Sequence, residues 1–482
     1  MTITTPDWVK DAIFYQIFPD RFAKSSAVEK PHHIETWDSP PTTHGFKAGD
    51  LIGVVEHLDH LVELGINAIY FCPIFQSAAN HRYHTHDYFN VDPILGGNAA
   101  FKQLLDAAHA RGIRVVIDGV FNHASRGFYY FNHTLENTHD SPYLDWFTFT
   151  KFPLHAYDEG HAGYAAWWNL KALPKLNTYN PHVREYIMRI AEHWIQQGAD
   201  GWRLDVANEI DDDSFWQEFR ARVKAINPEA YIVGEIWQRA DRWLQGDQFD
   251  AVMNYQFTRA ALSYCIGKKH AAHELLHDSY GQVINANASD FCAMLEQVQT
   301  WYAPEITYAQ MNLLDSHDTA RFLSIASGDK TALKLGWLAM FTYPGAPTIY
   351  YGDEIGMQGG KDPDCRRGMI WDKTHWDKDL FETAKKYIAL RKKYRALRRP
   401  GGYARLHAHG MVYIFARQLQ GETILVALNA GDESATIDLN LAPLLPDGAI
   451  VQHEWDHTSH QVTQGHIRVK IPARDGSVWT AK

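Results

Sequence analysis

Eight short runs of β-branched and aromatic residues recur along the chain, at 12–19, 66–75, 114–121, 201–206, 231–237, 249–255, 308–316 and 346–351. They are apolar throughout rather than alternating, so each strand needs cover on both faces. Helical spacing separates them. Val54, Val55, Leu58, Leu61 and Val62 share a helical face, as do Val183, Ile187, Ile190, Trp194 and Ile195. Asn180 and Pro181 offer the second helix an N-cap and a first-turn proline, and Gly198 a stop. Eight strands alternating with helices predict an α/β fold, a (β/α)8 TIM barrel rather than an open sheet.

The alternation breaks twice. Residues 122–177 are rich in Tyr, Phe, Trp, His, Asn and Asp and lack a sustained helical period, which reads as a subdomain inserted after the third strand. Beyond about residue 400 the texture becomes short alternating strands between turns, as in a small C-terminal antiparallel β-sandwich. The expected organisation is barrel at 1–121 and 178–399, insertion at 122–177, and sandwich at 400–482.

Charge narrows the partners. With 46 Lys and Arg against 57 Asp and Glu, the net charge of -11 repels a phosphate backbone or an anionic membrane surface, so neither nucleic acid nor membrane is expected. The four cysteines form no CxxC pair and no leader-like segment opens the chain, which together predict a cytoplasmic protein with free thiols. Aromatic residues make up 13% of the chain, with 16 Trp and 24 Tyr, enough to supply flat platforms for sugar rings as well as a core.

In such barrels the chemistry sits where strands end. The third run ends DGVFNH, the fourth GWRLDVANE, the fifth GEIW and the seventh LDSHD. Asp205, Glu235 and Asp318 thus converge on one rim from three strands. Taking carboxylates out of water costs several kcal/mol each, by about the usual desolvation figure, so three together point to a working site rather than to scattered salt bridges. A nucleophilic carboxylate and a protonated carboxylic acid about 5 Å apart are what cleavage of a glycosidic bond through a covalent intermediate requires.

These strings, in this order and spacing, resemble the signature regions of the α-amylase family of glycoside hydrolases. YQIFPDRF and YYGDEIGM match its first and eighth strands, so the resemblance spans essentially the whole chain. DVANEI and LPKLN are similar to the neopullulanase, cyclomaltodextrinase and maltogenic amylase subgroup. The resemblance implies that Asp205 is the nucleophile, Glu235 the acid/base, and Asp318 the carboxylate that orients sugar hydroxyls. It also implies that Arg203 keeps the nucleophile ionised, that His123 and His317 donate to sugar hydroxyls, and that Tyr83 stacks under the scissile sugar. Asp118 would be structural at its strand end, and Asp362 and Arg366 would form the pair at the next sugar site. Trp167 and Trp168 read either as a sugar platform or as local core.

Several features depart from the subgroup. His84 stands where many members have Asp, and Gln238 follows GEIW where His is frequent. A barrel beginning at about Asp7 leaves no room for the subgroup's N-terminal β-domain, which helps form its dimer, so the oligomeric state stays open. No cofactor is required; Ca²⁺ remains open on Asn122 alone, because Asn208 and Glu209 replace the His ligand of calcium-binding amylases.

Other strings have plainer readings. His81, His84 and His86 fit a wet substrate rim better than a metal site, and no metal-ligand set is assigned. HELLH at 273–277 copies a zinc-protease pattern, but 27 histidines make a chance match easy and the segment is expected away from the rim. The basic run at 385–399 carries Tyr387, Leu390, Tyr394 and Leu397 at helical spacing, as a last barrel helix with a solvated face.

The expected activity is hydrolysis of α-1,4 bonds in maltooligosaccharides, cyclodextrins or pullulan, with anomeric retention and some transglycosylation. The alternatives are an α-1,6- or α-1,1-specific glucosidase or sugar isomerase of the same family, and a non-catalytic sugar binder.

Overall fold

The computed structural model describes residues 3–267 and 271–481. Eight parallel strands form one sheet: β1 (Phe14–Ile17), β2 (Ala68–Phe71), β3 (Arg114–Gly119), β4 (Gly201–Leu204), β5 (Tyr231–Gly234), β6 (Ala251–Val252), β7 (Met311–Leu313) and β8 (Ala346–Tyr350). Their order is β6-β5-β4-β3-β2-β1-β8-β7, and a parallel bridge from Met253 to Met311 closes the ring. This is the expected barrel.

Apart from the exposed Arg114 that opens β3, the strand residues are buried, because side chains fill the interior and helices cover the outside. Phe14, Ile69, Val115, Val116, Ile117, Trp202 and Ile232 are fully buried. Gly201 is required by close approach, since a Cβ there would lie 2.2 Å from the Tyr231 carbonyl oxygen of the neighbouring strand. The helix at Pro181–Gln196 forms as its caps predict: the Asn180 side chain accepts from the His182 N–H, and Gly198 takes φ +106° just beyond.

The sixth and seventh strands are shorter than expected. Residues 304–309 form a helix with proline at its start, leaving Met311–Leu313 as the strand. A hairpin of Phe75–Ser77 and Thr85–Val91, not expected from the sequence, carries Tyr83 and His84 in its turn.

The insertion also differs from expectation, for it contains the helix Tyr129–Asn137. Only Phe131 and Thr134 of that helix are buried. Its packing comes from distant rings, with Tyr130 stacked at 3.7 Å on Trp146 and 5.6 Å from Tyr186. The LPKLN string brings the insertion back to the barrel: the Leu176 N–H donates to Asn122 O, and the Ala124 N–H to Pro174 O.

The C-terminal region holds β9 (Gly402–His409), β10 (Val412–Leu419), β11 (Glu422–Asn429), β12 (Ala435–Asn440), β13 (Ile450–His453), β14 (Ser459–Gln461), β15 (His466–Ile471) and β16 (Asp475–Ala481). A six-stranded antiparallel sheet, β9-β10-β11-β16-β13-β14, faces the β12-β15 pair. Alternation serves two cores. Val412, Ile414 and Ala416 pack toward Leu439, Ile467 and Val469, while Tyr413, Phe415 and Val426 join the barrel's core.

Candidate active site

The barrel's hydrogen-bond ladder delivers the carboxylates. Asp118 and Arg203 are register partners on β3 and β4. Asp205 follows β4 by one residue, its N–H bonded to Gly119 O, and Glu235 follows β5 by one residue, its N–H bonded to Leu204 O. Asp318 lies in a turn beyond β7, where its N–H meets Ser316 Oγ.

One guanidinium ties three of the acids together. Arg203 Nη1 lies 3.0 Å from Asp118 Oδ2 and 3.0 Å from Asp205 Oδ1, and Nη2 lies 3.1 Å from Glu235 Oε2. Arg203 is wholly buried, and Asp205 and Glu235 are only 8% and 5% exposed. Burial, then the charge of Glu235, raises the Asp205 carboxyl well above the usual carboxylate range, while Arg203 pulls it back. Glu235 has two further donors: the Val206 N–H on Oε2 at 2.8 Å and the Trp237 indole N–H on Oε1 at 3.1 Å.

A second network holds Asp318. Gln16 Nε2 donates to His317 Nδ1 at 2.8 Å, which leaves the His317 proton on Nε2, toward Tyr83 Oη and 3.2 Å from Asp318 Oδ1. Burial, Arg366 and Arg203 hold His317 well below its ordinary value, so the ring is neutral. The Tyr83 hydroxyl in turn donates a hydrogen bond to Asp118 Oδ2 at 3.0 Å. Arg366 pairs with Asp362 at 2.9 Å and approaches Asp318 at 3.4 Å.

These groups surround a cavity of about 570 Å³ lined by Asp205, Glu235, Asp318, Tyr83, His123, Asp362, Arg366, Trp167 and Trp168 among others. Nine of the eleven residues proposed from the sequence therefore meet on one surface. The other two lie under it. Arg203 is the cation beneath the acids, and His317, expected to donate to a sugar hydroxyl, is fully buried with both nitrogens engaged by Gln16 and by Tyr83 and Asp318.

His123 does face the cavity. Asn122 Nδ2 lies 3.1 Å from its Nδ1, its Nε2 has no protein partner, and burial lowers it to about 3. Trp167 lies parallel over that ring at 5.1 Å and stacks on Trp168, which is 71% exposed. The two tryptophans form a cavity wall, not local core. His81 and His84 line the cavity too, whereas the His86 ring packs against the Gly127 backbone.

The sequence reading misplaced the HELLH segment. His277 lines the cavity, because the barrel helix after β6 is Ala288–Trp301 and the described residues between 255 and 287 belong to the excursion that precedes it. Only His273–Leu275 is helical, as a single 3-10 turn, so the string lacks the helix on which a zinc site would be built. Among the described residues no group of three or more His, Cys, Asp or Glu is placed to hold a metal ion. Asn122 Oδ1 is buried without a partner, yet no such group surrounds it.

Gln16 and Tyr70, which donates to Asp118 Oδ2 at 2.9 Å, escaped the sequence reading. Both sit inside strands whose apolar runs conceal them, although Gln16 in YQIF is a polar residue at a strand centre and was a usable signal.

The family model for the alpha amylase catalytic domain matches residues 16–418, and that for the alpha-amylase C-terminal domain matches 401–478. The chain belongs to the α-amylase family of glycoside hydrolases. It is 47% identical over 428 residues to a cyclomaltodextrinase of a Bacillus species, covering 88% of this chain and 73% of that one. It is 43% identical to neopullulanase 2 of Thermoactinomyces vulgaris, covering 91% and 72%. The solved structure of a debranching enzyme from Nostoc punctiforme superimposes with a TM-score of 0.91 at 48% identity, covering 99% of this chain and all of that one. No helix among the described residues is long and apolar enough to cross a membrane.

Proposed function

We propose that this glycoside hydrolase cleaves α-1,4-glucosidic bonds of maltooligosaccharides, cyclodextrins or pullulan by double displacement, with retention of configuration. The observation that carries the reading is the single guanidinium shared by Asp205 and Glu235 at the floor of one cavity. That sharing fits the roughly 5 Å carboxyl spacing of retaining enzymes better than the roughly 6.5–9.5 Å that lets an inverting enzyme seat a water.

In this scheme Glu235 gives its proton to the glycosidic oxygen while the Asp205 carboxylate attacks the anomeric carbon. The carbon–oxygen bond to the leaving sugar breaks, and that sugar departs with a free hydroxyl. Glu235 then takes a proton from water, whose oxygen attacks the same carbon and releases the Asp205 ester. Both carboxyls are restored, and two inversions give the α-anomer. Positive charge growing on the sugar adds to Arg203 in favouring the ionised form of Asp205, against the burial that raises it. Asp318, held by His317 and Arg366, would orient the sugar hydroxyls, and the free His123 N–H would donate to one of them.

Transglycosylation follows when a sugar hydroxyl on the Trp167, Trp168 and Trp237 wall replaces water. A second reading, cleavage of α-1,6 branches, is favoured by the Nostoc debranching enzyme's likeness over the whole chain. A cytoplasmic location belongs to the same proposal, since all four cysteines are free and buried, as suits a reducing compartment.

The test combines product analysis with variants. NMR of early products should show the α-anomer first, and rates on maltotriose, cyclodextrin, pullulan and isomaltose should rank the linkages. Asp205→Asn and Glu235→Gln should each cut kcat by about a thousandfold or more. Release of the β-anomer, or variants within about tenfold of the parent, defeats the scheme. Maltotriose binding without turnover would make the protein a sugar binder.

A further inference from the structure

The HELLH string supplies a ring that the reaction scheme leaves unused. His277 lies nearly parallel to the Trp237 indole, with centroids 4.7 Å apart and planes 19° apart. Tyr255 lies on the same indole at 3.6 Å and 4°. Two rings so close to one centroid cannot share a face, so the indole is clamped between them. Its backbone is fixed as well, because Gln256 Nε2 donates to Trp237 O at 2.7 Å.

The segment bearing His277 is anchored to the same loop. Gln238, the residue that departs from the subgroup pattern, donates through Nε2 to Ser279 O at 3.2 Å. The Ser279 N–H in turn donates to His277 Nδ1 at 3.2 Å, which orients the imidazole and leaves its proton on Nε2. Trp237 is only half-buried, so without His277 its cavity-side face would have no protein partner among these stacked rings.

The clamped indole has one polar atom, and it is bonded to the acid: Trp237 Nε1–H donates to Glu235 Oε1 at 3.1 Å. A glutamate has three side-chain torsions, and a general acid misplaced by about 1 Å can lose as much as a hundredfold in rate. We infer that His277 is a positioning residue, which clamps the Trp237 indole against Tyr255 and so keeps the Glu235 carboxyl aimed at the leaving oxygen. The inference deepens the proposed function and rests on the reading of Glu235 as the acid.

The experiment separates the ring from its nitrogens and the acid step from the rest. H277A should lower kcat on maltotriose about tenfold, the worth of one ordered aromatic contact, with KM within about twofold. H277F, which keeps a flat ring and loses both nitrogens, should recover kcat to within about threefold of the parent. With enzyme in excess, the single-turnover release of fluoride from α-maltosyl fluoride reads only the first step, whose leaving group needs no proton from the enzyme; there H277A should stay within about twofold of the parent, which also reports that it is folded.

Equal losses in H277A and H277F would assign the effect to an imidazole hydrogen bond and overturn the clamp. So would an undiminished loss in single-turnover fluoride release. A parent inactive on maltotriose, cyclodextrin, pullulan and isomaltose alike would sink the hydrolase reading along with the clamp; an active parent with an unimpaired H277A would sink the clamp alone.

Discussion

Arg203 and His123 show how single residues hold this site in working order by opposite means. Arg203 is a buried cation whose desolvation is offset by three carboxylates, an arrangement that loses several kcal/mol when one partner is removed. His123 is a buried base kept neutral, lowered to about 3 by burial and by the nearby His84 and Lys175 charges. In the unfolded chain its ring protonates below about 6.5. The stability it contributes is therefore whole above pH 6.5 and drains away as pH falls toward 3, at up to about 1.4 kcal/mol per pH unit. His123→Asn should remove that dependence. Denaturant titrations should show the parent's lead over the variant shrinking by up to about 3 kcal/mol between pH 6.5 and 4. Parallel curves would mean that His123 takes up its proton alike in both states. The meeting of Asp205, Glu235 and Asp318 at one cavity was legible because carboxylates at strand ends stand out against apolar runs. Gln16 stands out as a polar residue inside a strand, but its partner His317, 301 positions away, could not be read from that.

Among the elements, strands were legible where burial is two-sided and helices where one face carries its own apolar set. The helix Tyr129–Asn137 has no such set, because its partners Trp146 and Tyr186 lie outside it. The sixth and seventh strands shrank because neighbouring residues join helices and turns at the rim, which apolar content alone does not reveal. His277 was expected away from the rim, whereas the excursion between β6 and the helix Ala288–Trp301 carries it to the cavity. The spacing of β4 and β5 decides the site, for these strands present the two acids. A Cβ at Gly201 would press on Tyr231 backbone atoms, N at 2.9 Å and O at 2.2 Å, so Gly201→Ala should push β4 from β5 and Asp205 from Glu235. Overpacking of this kind costs about 1–3 kcal/mol. We expect a lowered Tm together with a kcat reduced by about tenfold or more, with KM less affected. A variant with lowered Tm and parental kcat would show that the acid pair is positioned without help from the strand spacing.

For the whole molecule, the question is what joins the sandwich to the barrel. The basic run at 385–399 begins on the expected helix, Lys378–Lys393, but Tyr394 and Leu397 lie beyond its end, and its face is not all solvated: Arg391 is fully buried, donating to the carbonyls of Phe341 and Leu397. Arg417 of β10 is equally buried and donates to Thr342 O and Tyr308 Oη. Arg417 thus satisfies barrel acceptors across the junction, and Arg391 satisfies acceptors within the barrel beside it, where apolar packing alone would leave those groups unpaired. Beside them Gly476 of β16 gives way to Leu338 on the barrel helix Lys330–Thr342, since a Cβ at 476 would lie 2.2 Å from Leu338 Cδ2. The two positions form a lock that a double-mutant cycle can read. Gly476→Ala should destabilise by about 1–3 kcal/mol through overpacking, and Leu338→Ala by about 2–5 kcal/mol through the cavity it leaves. Combined, each change makes room for the other, so the pair should be less damaging than the sum by about 1 kcal/mol or more. Thermal unfolding of the parent, both single variants and the double variant measures that coupling. Strict additivity would mean that the sandwich does not pack on the barrel through this contact, and that Arg417 and the Tyr264 hydroxyl, which donates to Met411 O, help hold the junction without it.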